Sequence, residues 1–339
     1  MKDIVYISET TINANHAGNK ARADIEKIFE AEFGYSEYGY KYRVFRNLCD
    51  KIRYVLDIGI QRRLLRLFRL QGKKLFIQYP FGGNFILHSI LNRAVRRNKT
   101  VLIIHDLCSM REAEMEVAQE IAFLNSSHAC IVHNQHMADF LAAHGIAVPM
   151  VILECFDYLR NNDNHLARSF EEKIVFAGNL DKSTFIQDIG RLQGDFYLYG
   201  PNERDFSAIN NINYCGSYSP EIIAEKLHGS FGLIWDGDSI ETCSGVYGEY
   251  TKYNNPHKLS LYIASCLPVI VWKEAAIADF VRKENIGFCV SNLHEIHDKI
   301  ADMDEADYQT YLSNISSLKK KVISGSFFKS AMDKALAVL

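Results

Sequence analysis

The residues best suited to an anionic ligand lie in Tyr253-Asn254-Asn255-Pro256-His257-Lys258. Asn255 reads as a helix N-cap and Pro256 as the first helical residue. Lys258 then falls in the first turn, where unpaired N–H groups and an ammonium converge on a phosphate-sized group. The helix sits between an apolar run ending at Trp235 and another beginning at Pro268, so its start faces the C-terminal edge of a parallel sheet. A plain capped helix with a solvated lysine fits the same residues, and spacing alone does not choose. A second candidate is Gly178-Asn179-Leu180-Asp181-Lys182-Ser183, directly after the run Lys173–Ala177. Gly178 permits close approach of the backbone, and Lys182 near a helix start suits a phosphate. The stretch from Asp236 to Asn254 is longer than an ordinary connection and carries Asp238, Ser244 and Gly245; it reads as a structureless site loop.

In the first half, Thr10–Arg22 is polar, includes Gly18 and Asn19, and opens the first helix. His105-Asp106 closes a buried run. Asp106 there suits a general base toward a hydroxyl, and it equally suits the cap of the next helix. Asp236-Gly237-Asp238 and His133-Asn134-Gln135-His136 look like metal ligands, but the first pattern is common by chance and the second lacks a third ligand; both are read as non-metal. In Ile60–Leu70, Arg62, Arg66 and Arg69 share one helical face, and Ile60, Leu64, Leu67 and Phe68 share another. Packing on a sheet is the preferred reading for that apolar face, with contact to an anionic membrane as the alternative.

These candidates need a scaffold that brings strand ends together. Short runs rich in Val, Ile and Phe alternate with amphipathic segments, the pattern of parallel sheets with crossover helices. Strands are expected at Ile4–Ile7, Lys74–Gln78, Val101–His105, Ala129–His133 and Met150–Leu153. A second set is expected at Lys173–Ala177, Phe196–Tyr199, Phe231–Trp235, Pro268–Trp272 and Gly287–Val290. Helices are expected at Lys20–Phe33, Gln135–His144, Glu221–His228, Pro256–Ser265, Ala275–Lys283 and from Leu293 onward. The fold class is therefore α/β: two Rossmann-like doubly wound domains with an interdomain cleft. Residues 1–155 form the first, 156–172 a polar linker, 173–325 the second, and 326–339 a C-terminal helix.

With 339 residues, 48% hydrophobic and 23% charged, the chain is long enough for two ordinary domains. A net charge of −3 gives no general attraction to nucleic acid. The start of the chain lacks a signal-peptide layout, and no stretch is apolar enough to span a bilayer. Eight cysteines are scattered without a Cys-x-x-Cys pair, as expected of reduced thiols in a cytoplasmic protein.

The stretch FGLIWDGDSIETCSG from Phe231 to Gly245, continuing through YNNPHK to LPVIVW at Leu267–Trp272, resembles a group of bacterial GT-B glycosyltransferases. That group includes the second-step glucosyltransferases of serine-rich adhesin glycosylation and the beta-1,6-galactofuranosyltransferases of surface polysaccharide assembly. The likeness extends to Gly18-Asn19-Lys20-Ala21, His105-Asp106, Ala177–Leu180 and Tyr199-Gly200; Cys266 stands where members often have Gly. The resemblance implies a UDP-hexose donor, glucose or galactofuranose, held mainly by the second domain. It implies a glycan acceptor, on protein or a lipid carrier, held by the first. By motif, Gly178, Asn179, Lys182 and Ser183 border the nucleotide, Tyr218 lies beside the uracil or ribose, and Asn255 and Lys258 hold the diphosphate. Gly18 and Asn19 join the donor set, and His105 and Asp106 are the catalytic candidates. No cofactor and no metal are expected. Membrane contact at the inner face and homo-oligomer formation are left open. The competing readings are a UDP-sugar epimerase of the same fold and a non-catalytic nucleotide-sugar-binding subunit.

Overall fold

The computed structural model describes residues 3–11, 17–42, 58–82, 85–111, 115–164, 166–201 and 204–339. The chain forms two compact units. The first comprises 1–132, 138–153 and 328–339, and the second 133–137 and 154–327.

Elements of the first unit run β1 (Ile4–Tyr6), β2 (Ser8–Thr11), α1 (Ala17–Phe33), β3 (Gly39–Tyr42), α2 (Ile58–Arg69), β4 (Lys74–Tyr79), α3 (Phe85–Arg97), β5 (Lys99–Ile104), α4 (Cys108–Arg111), α5 (Val117–Leu124), β6 (Ala129–Val132), α6 (Gln135–Ala143) and β7 (Met150–Ile152). β1, β4, β5, β6 and β7 build a parallel sheet in that order. Its central strands are buried on both faces, which is why they read as unbroken apolar runs. Three strands were not expected: β2 and β3 here, and Ile212–Tyr214 in the second unit. The first strand changes partner at Ile7: the Ile7 N–H donates to the Phe76 carbonyl (3.0 Å) and the Ser8 N–H to that of Tyr38 (3.0 Å). β2 then pairs with β3 alone. Their residues, Ser-Glu-Thr-Thr and Gly-Tyr-Lys-Tyr, lack a continuous apolar signal.

The second unit holds β8 (Lys173–Ala177), β9 (Asp195–Tyr199), β10 (Ile212–Tyr214), β11 (Phe231–Ile234), α7 (Gly245–Tyr250), α8 (His257–Ala264), β12 (Val269–Trp272), α9 (Ile277–Glu284), β13 (Gly287–Val290), α10 (Glu295–Ala301) and α11 (Glu305–Ser324); α12 (Ser326–Ala337) ends the chain. The sheet is wholly parallel, in the order β10-β9-β8-β11-β12-β13. The chain moves outward from β8 to β10, returns to lay β11 beside β8, and moves outward the other way. Strand order thus reverses between β8 and β11, the place where open α/β sheets accept ligands.

Several expectations change. Glu221–His228 is not an α-helix; only Ile223–Glu225 makes a 3-10 turn. The Pro220 carbonyl accepts from the Tyr158 hydroxyl, Glu225 pairs with Arg160, and the His228 N–H donates to Tyr199 Oη. These tertiary bonds replace a helical ladder. The final helical stretch is three helices. A capping box at Asp304 starts α11 and Gly325, with φ 81°, stops it. Residues 156–172, read as a linker, are packed into the second unit. Phe156 and Tyr158 are buried, and the Arg168 guanidinium donates to the carbonyls of Leu227, Gly229, Ser265 and Cys266. The C-terminal residues from 328 belong to the first unit, where Phe328 meets Phe29 edge-on at 5.2 Å. No helix among the described residues is long and apolar enough to cross a membrane. Seven described cysteines are free thiols, and burial pushes those of Cys130 and Cys243 up to about 12; Cys49 lies outside the described residues.

The C-terminal edge of the second sheet demands glycine. The Gly178 N–H donates to the Tyr199 carbonyl and the Gly200 N–H to that of Gly216. A Cβ on Gly200 (φ 142°) would lie 1.7 Å from the Gly178 carbonyl oxygen. Gly200→Ala is therefore expected to destabilise the protein by about 2–4 kcal/mol through overpacking and backbone strain. Gly216→Ala, where a Cβ meets nothing within 4 Å, should cost only about 1 kcal/mol. Urea unfolding of both variants checks this; equal losses would refute the close-approach argument.

Candidate functional site

α8 begins at the reversal of strand order in the second unit. Its N-cap is Pro256 (φ −66°, ψ 137°), with no side-chain cap, so the helix starts one residue later than the sequence suggested. Asn255 does not cap it. The side chain is 5% exposed and fully committed. Its amide donates to the carbonyls of His133 (2.8 Å) and Glu154 (2.9 Å), and its Oδ1 accepts from Asn134 Nδ2 (2.8 Å). The Asn255 backbone N–H donates to His133 Nδ1 at 2.9 Å. His133, read as a decoy for metal, is thus a hydrogen-bond acceptor that fixes the entry to α8.

Three residues on, the Lys258 ammonium is drawn inward, its side chain 17% exposed. Nζ donates to the Trp235 carbonyl (3.0 Å), sits 4.4 Å from the centroid of the Phe176 ring, and lies 3.9 Å from Asp236 Oδ2. A Cβ on Gly178 would meet Lys258 Cε at 3.1 Å. Lys258 therefore occupies the joint C-terminal ends of β8 and β11, and is not a solvated lysine. Asp236, set aside in the sequence as half of a chance pattern, is its carboxylate neighbour.

The other second-unit candidates surround this edge. Asn179 Oδ1 accepts from the N–H groups of Asp181 (3.1 Å) and Lys182 (3.2 Å), an Asx turn. Ser183 is buried and its Oγ donates to the Asn179 carbonyl at 3.0 Å. These two side chains shape the turn; Lys182 projects from it, with Nζ 5.6 Å from the centroid of the Tyr247 ring on α7. Tyr218 is partly exposed, its ring 6.3 Å from that of Tyr199. The loop after β11 is not structureless: it folds into α7, with Ser244 at the N-cap and Gly245 opening the helix. Ser244 Oγ donates to the Asp238 carboxylate. Asp236 accepts from the Gly237 N–H (3.1 Å) and faces Lys258, so the two carboxylates serve different partners.

In the first unit, His105 follows β5 and is buried. Gln78 Nε2 donates to the Arg22 carbonyl (3.4 Å), which orients the amide; Gln78 Oε1 then accepts from His105 Nε2 at 2.7 Å. The imidazole proton is accordingly on Nε2. Asp106 is paired with Arg111 on α4, so proton abstraction by Asp106 competes with that guanidinium. Glu120, which the sequence reading missed, is 1% exposed. It accepts from the Tyr79 hydroxyl (2.7 Å) and from the N–H groups of Cys108 (2.8 Å) and Ser109 (2.9 Å), anchoring α4 directly after Asp106. Gly18 and Asn19 fall in the first turn of α1, and their side-chain surroundings lie outside the described residues. Below them, Lys20 and Asp24 form a buried pair. Arg22 joins Glu9 (2.8 Å) and the Pro80 carbonyl (2.7 Å). The i, i+4 spacing of Lys20 and Asp24 was a usable signal; nothing local marked Gln78 or Glu120.

The Asn255 knot yields a prediction. Asn255→Ala removes a donor from the His133 and Glu154 carbonyls and the acceptor of Asn134, and is expected to cost about 1–3 kcal/mol. Asn255→Asp should cost at least as much, because a carboxylate would face two carbonyl oxygens. Chemical denaturation checks both; loss below about 0.5 kcal/mol would return Asn255 to the ligand-binding set.

Comparison with known proteins agrees with this architecture. The glucosyltransferase 3-like N-terminal domain model matches residues 4–155, and the C-terminal domain model matches 174–335. The chain is 35% identical over 246 residues to the beta-1,6-galactofuranosyltransferase WbbI of Escherichia coli K12, covering 70% of this chain and 71% of that one. It is 26% identical over 327 residues to glucosyltransferase 3 of Streptococcus gordonii, covering 94% of each. Among solved structures, Anabaena Alr3699/HepE in complex with UDP superposes with a TM-score of 0.61 at 10% identity, covering 99% of this chain and 100% of that one. The lipopolysaccharide galactosyltransferase WaaB superposes at 0.60 with 9% identity, covering 98% and 99%. Two parallel α/β units, a strand-order reversal carrying Lys258, and family models over both halves lead to one conclusion: the chain belongs to the glucosyltransferase 3-like family and is a GT-B glycosyltransferase.

Proposed function

We propose that this enzyme transfers a hexose, glucose or galactofuranose, from a UDP-sugar to a hydroxyl of a glycan acceptor carried on protein or lipid, in glycoprotein or surface polysaccharide synthesis. The observation that carries the donor assignment is Lys258. It is an ammonium held at the reversal of strand order, beside a helix start without a side-chain cap. As the bond from the anomeric carbon to the diphosphate breaks, negative charge grows on the departing phosphate. A pre-placed ammonium and backbone N–H groups stabilise that charge without reorganising at the moment of reaction. Lys258 exchanges the Trp235 carbonyl for a phosphate oxygen, and Lys182 supplies a second cation from the adjoining turn. Gly178, Gly200 and Gly216 keep the strand ends low enough for the nucleotide, with Tyr218 beside the base or ribose. Asp236 and Asp238 accept from sugar hydroxyls or hold the loop. The charge stabilisation in this reading comes from the protein, so no divalent metal is needed.

The acceptor belongs to the first unit. Asp106 takes the proton of the attacking hydroxyl after that hydroxyl displaces it from Arg111, and His105, its tautomer set by Gln78, orients the acceptor. Relatives support the chemistry in general: WbbI is named a galactofuranosyltransferase, and Alr3699/HepE has been solved with UDP-glucose. We place the reaction in the cytoplasm, near the inner face of the membrane.

Two outcomes are expected. Lys258→Ala should remain folded and lose transfer by about 10²–10³-fold, while the parent keeps full activity in excess EDTA. Near-normal turnover in the variant would remove Lys258 from the site. Loss in EDTA with rescue by manganese would falsify the metal-free reading. Isomerised UDP-hexose in the absence of acceptor would favour an epimerase, and UDP binding without any turnover a non-catalytic subunit. Asp106→Asn should leave UDP affinity intact and slow transfer by about 10²–10⁴-fold; matched losses of stability and UDP affinity would mark Asp106 as a structural partner of Arg111.

A further inference from the structure

The chain carries a net charge of −3, yet between Ile58 and Ile104 it has ten Lys and Arg and not one Asp or Glu. This segment spans α2, β4, α3 and β5, and its two helices pack on each other. The Arg93 guanidinium carbon lies 4.3 Å over the Phe68 ring, and Arg93 Nε donates to the Phe68 carbonyl at 3.2 Å. The inward sides are filled by Leu67, Leu70, Leu87 and Leu91, all buried. Phe68, which the sequence grouped with the inward stripe, stays 45% exposed, and Leu65 stays 47% exposed. At 100° per residue, Leu65 falls beside Arg62, Arg66 and Arg69 on the outward arc of α2, while Phe68 lies on its flank, where Arg93 covers the ring. The outward arc of α3 repeats the pattern: Phe85 is 86% and Ile86 64% exposed, and Arg96 and Arg97 are exposed further along. At the C-terminal end of α3 and just past both helices, Lys73, Lys74, Arg96, Arg97 and Lys99 line a cavity of about 450 Å³, where the carboxylate of Asp3 pairs with Lys73.

Two neighbouring helices thus mix cations and large apolar side chains on their outward arcs. Solvent-facing helices are ordinarily polar there, and a track for duplex nucleic acid has no use for Leu65 and Ile86 at such exposure. The combination suits the boundary of an anionic bilayer, where apolar side chains enter the acyl region and guanidinium groups meet lipid phosphates. We propose that the α2–α3 face of the first unit binds the surface of a membrane containing anionic phospholipid, with the cavity at the helix ends receiving a head-group phosphate. The donor site of the second unit plays no part in this contact.

The test is flotation of the full chain with vesicles of phosphatidylcholine, with and without phosphatidylglycerol, at low and high salt. Binding is expected only with the anionic lipid, weakening with salt. Arg62→Glu with Arg66→Glu should lower partition by about 25-fold or more, from about fivefold for each basic residue lost. Arg96→Glu with Arg97→Glu gives an independent second variant should the first fail to fold. Leu65→Ser with Ile86→Ser should remove the binding that persists at high salt. Hydrolysis of a UDP-hexose should be unchanged in every folded variant, which separates this proposal from the donor-site reading. Equal binding to neutral vesicles, unchanged binding by the charge variants, or tighter binding to a DNA duplex than to anionic vesicles would overturn it. Competition by inorganic phosphate at constant ionic strength should displace the cavity contribution alone; complete displacement would likewise overturn it.

Discussion

Asn255 is a buried amide, and the structure around the C-terminal edge of the second sheet is arranged to satisfy it. Its donors go to His133 and Glu154, its acceptor to Asn134, and its backbone N–H to the His133 ring. A buried polar group left unpaired costs more than a hydrogen bond gains, so these bonds hold together or fail together. Because they fix the backbone at Asn255, Pro256 becomes the N-cap and Lys258 is set in the first turn of α8. The lysine that we propose meets the donor diphosphate is thus placed by a hydrogen-bonded knot three residues before it.

The same edge shows how the fold makes room for the Lys258 side chain. Glycines at the ends of β8 and β9 let backbone pass against backbone, and Lys258 fills the space above Phe176 that a side chain on Gly178 would contest. Lys258 keeps one carbonyl bond and a carboxylate at 3.9 Å, with part of its surface exposed. Such a group exchanges partners at small cost, unlike Lys20 and Asp24 in the first unit, which are buried against each other. Breaking a buried pair leaves an uncompensated charge. Lys20 is therefore a structural cation and Lys258 an available one.

Arginine does comparable structural work along residues 156–172. Arg168 meets four carbonyls, Arg160 meets the Ala264 carbonyl and Glu225, and Lys319 from α11 reaches Asp163. The polar composition that suggested a free linker is the composition of a strap whose partners are backbone oxygens at the ends of helices and turns. A planar guanidinium with five donors suits that role better than any apolar residue.

What the sequence by itself determined is whatever depends on neighbours along the chain. Strands buried on both faces announce themselves as apolar runs, and ten were legible to within two residues. Alternation with amphipathic segments was enough to identify two doubly wound units. The placement of Lys258 near a sheet edge followed from a helix start lying between two such runs. Tertiary structure decided the rest, because it turns on partners far away in sequence. Asn255 looked like a cap, since Asn before Pro is a good one, until His133 and Glu154, 122 and 101 residues distant, claimed its amide. Asp236 acquired a role only when Lys258 came within 3.9 Å, and Glu120 only when Tyr79 and the start of α4 closed on it. β2 and β3 carry no apolar signature because they bond to each other at a change of partner. A local pattern records which face of a segment is buried; it does not record which polar group will meet it there, and hydrogen bonding in the interior is settled only by that meeting.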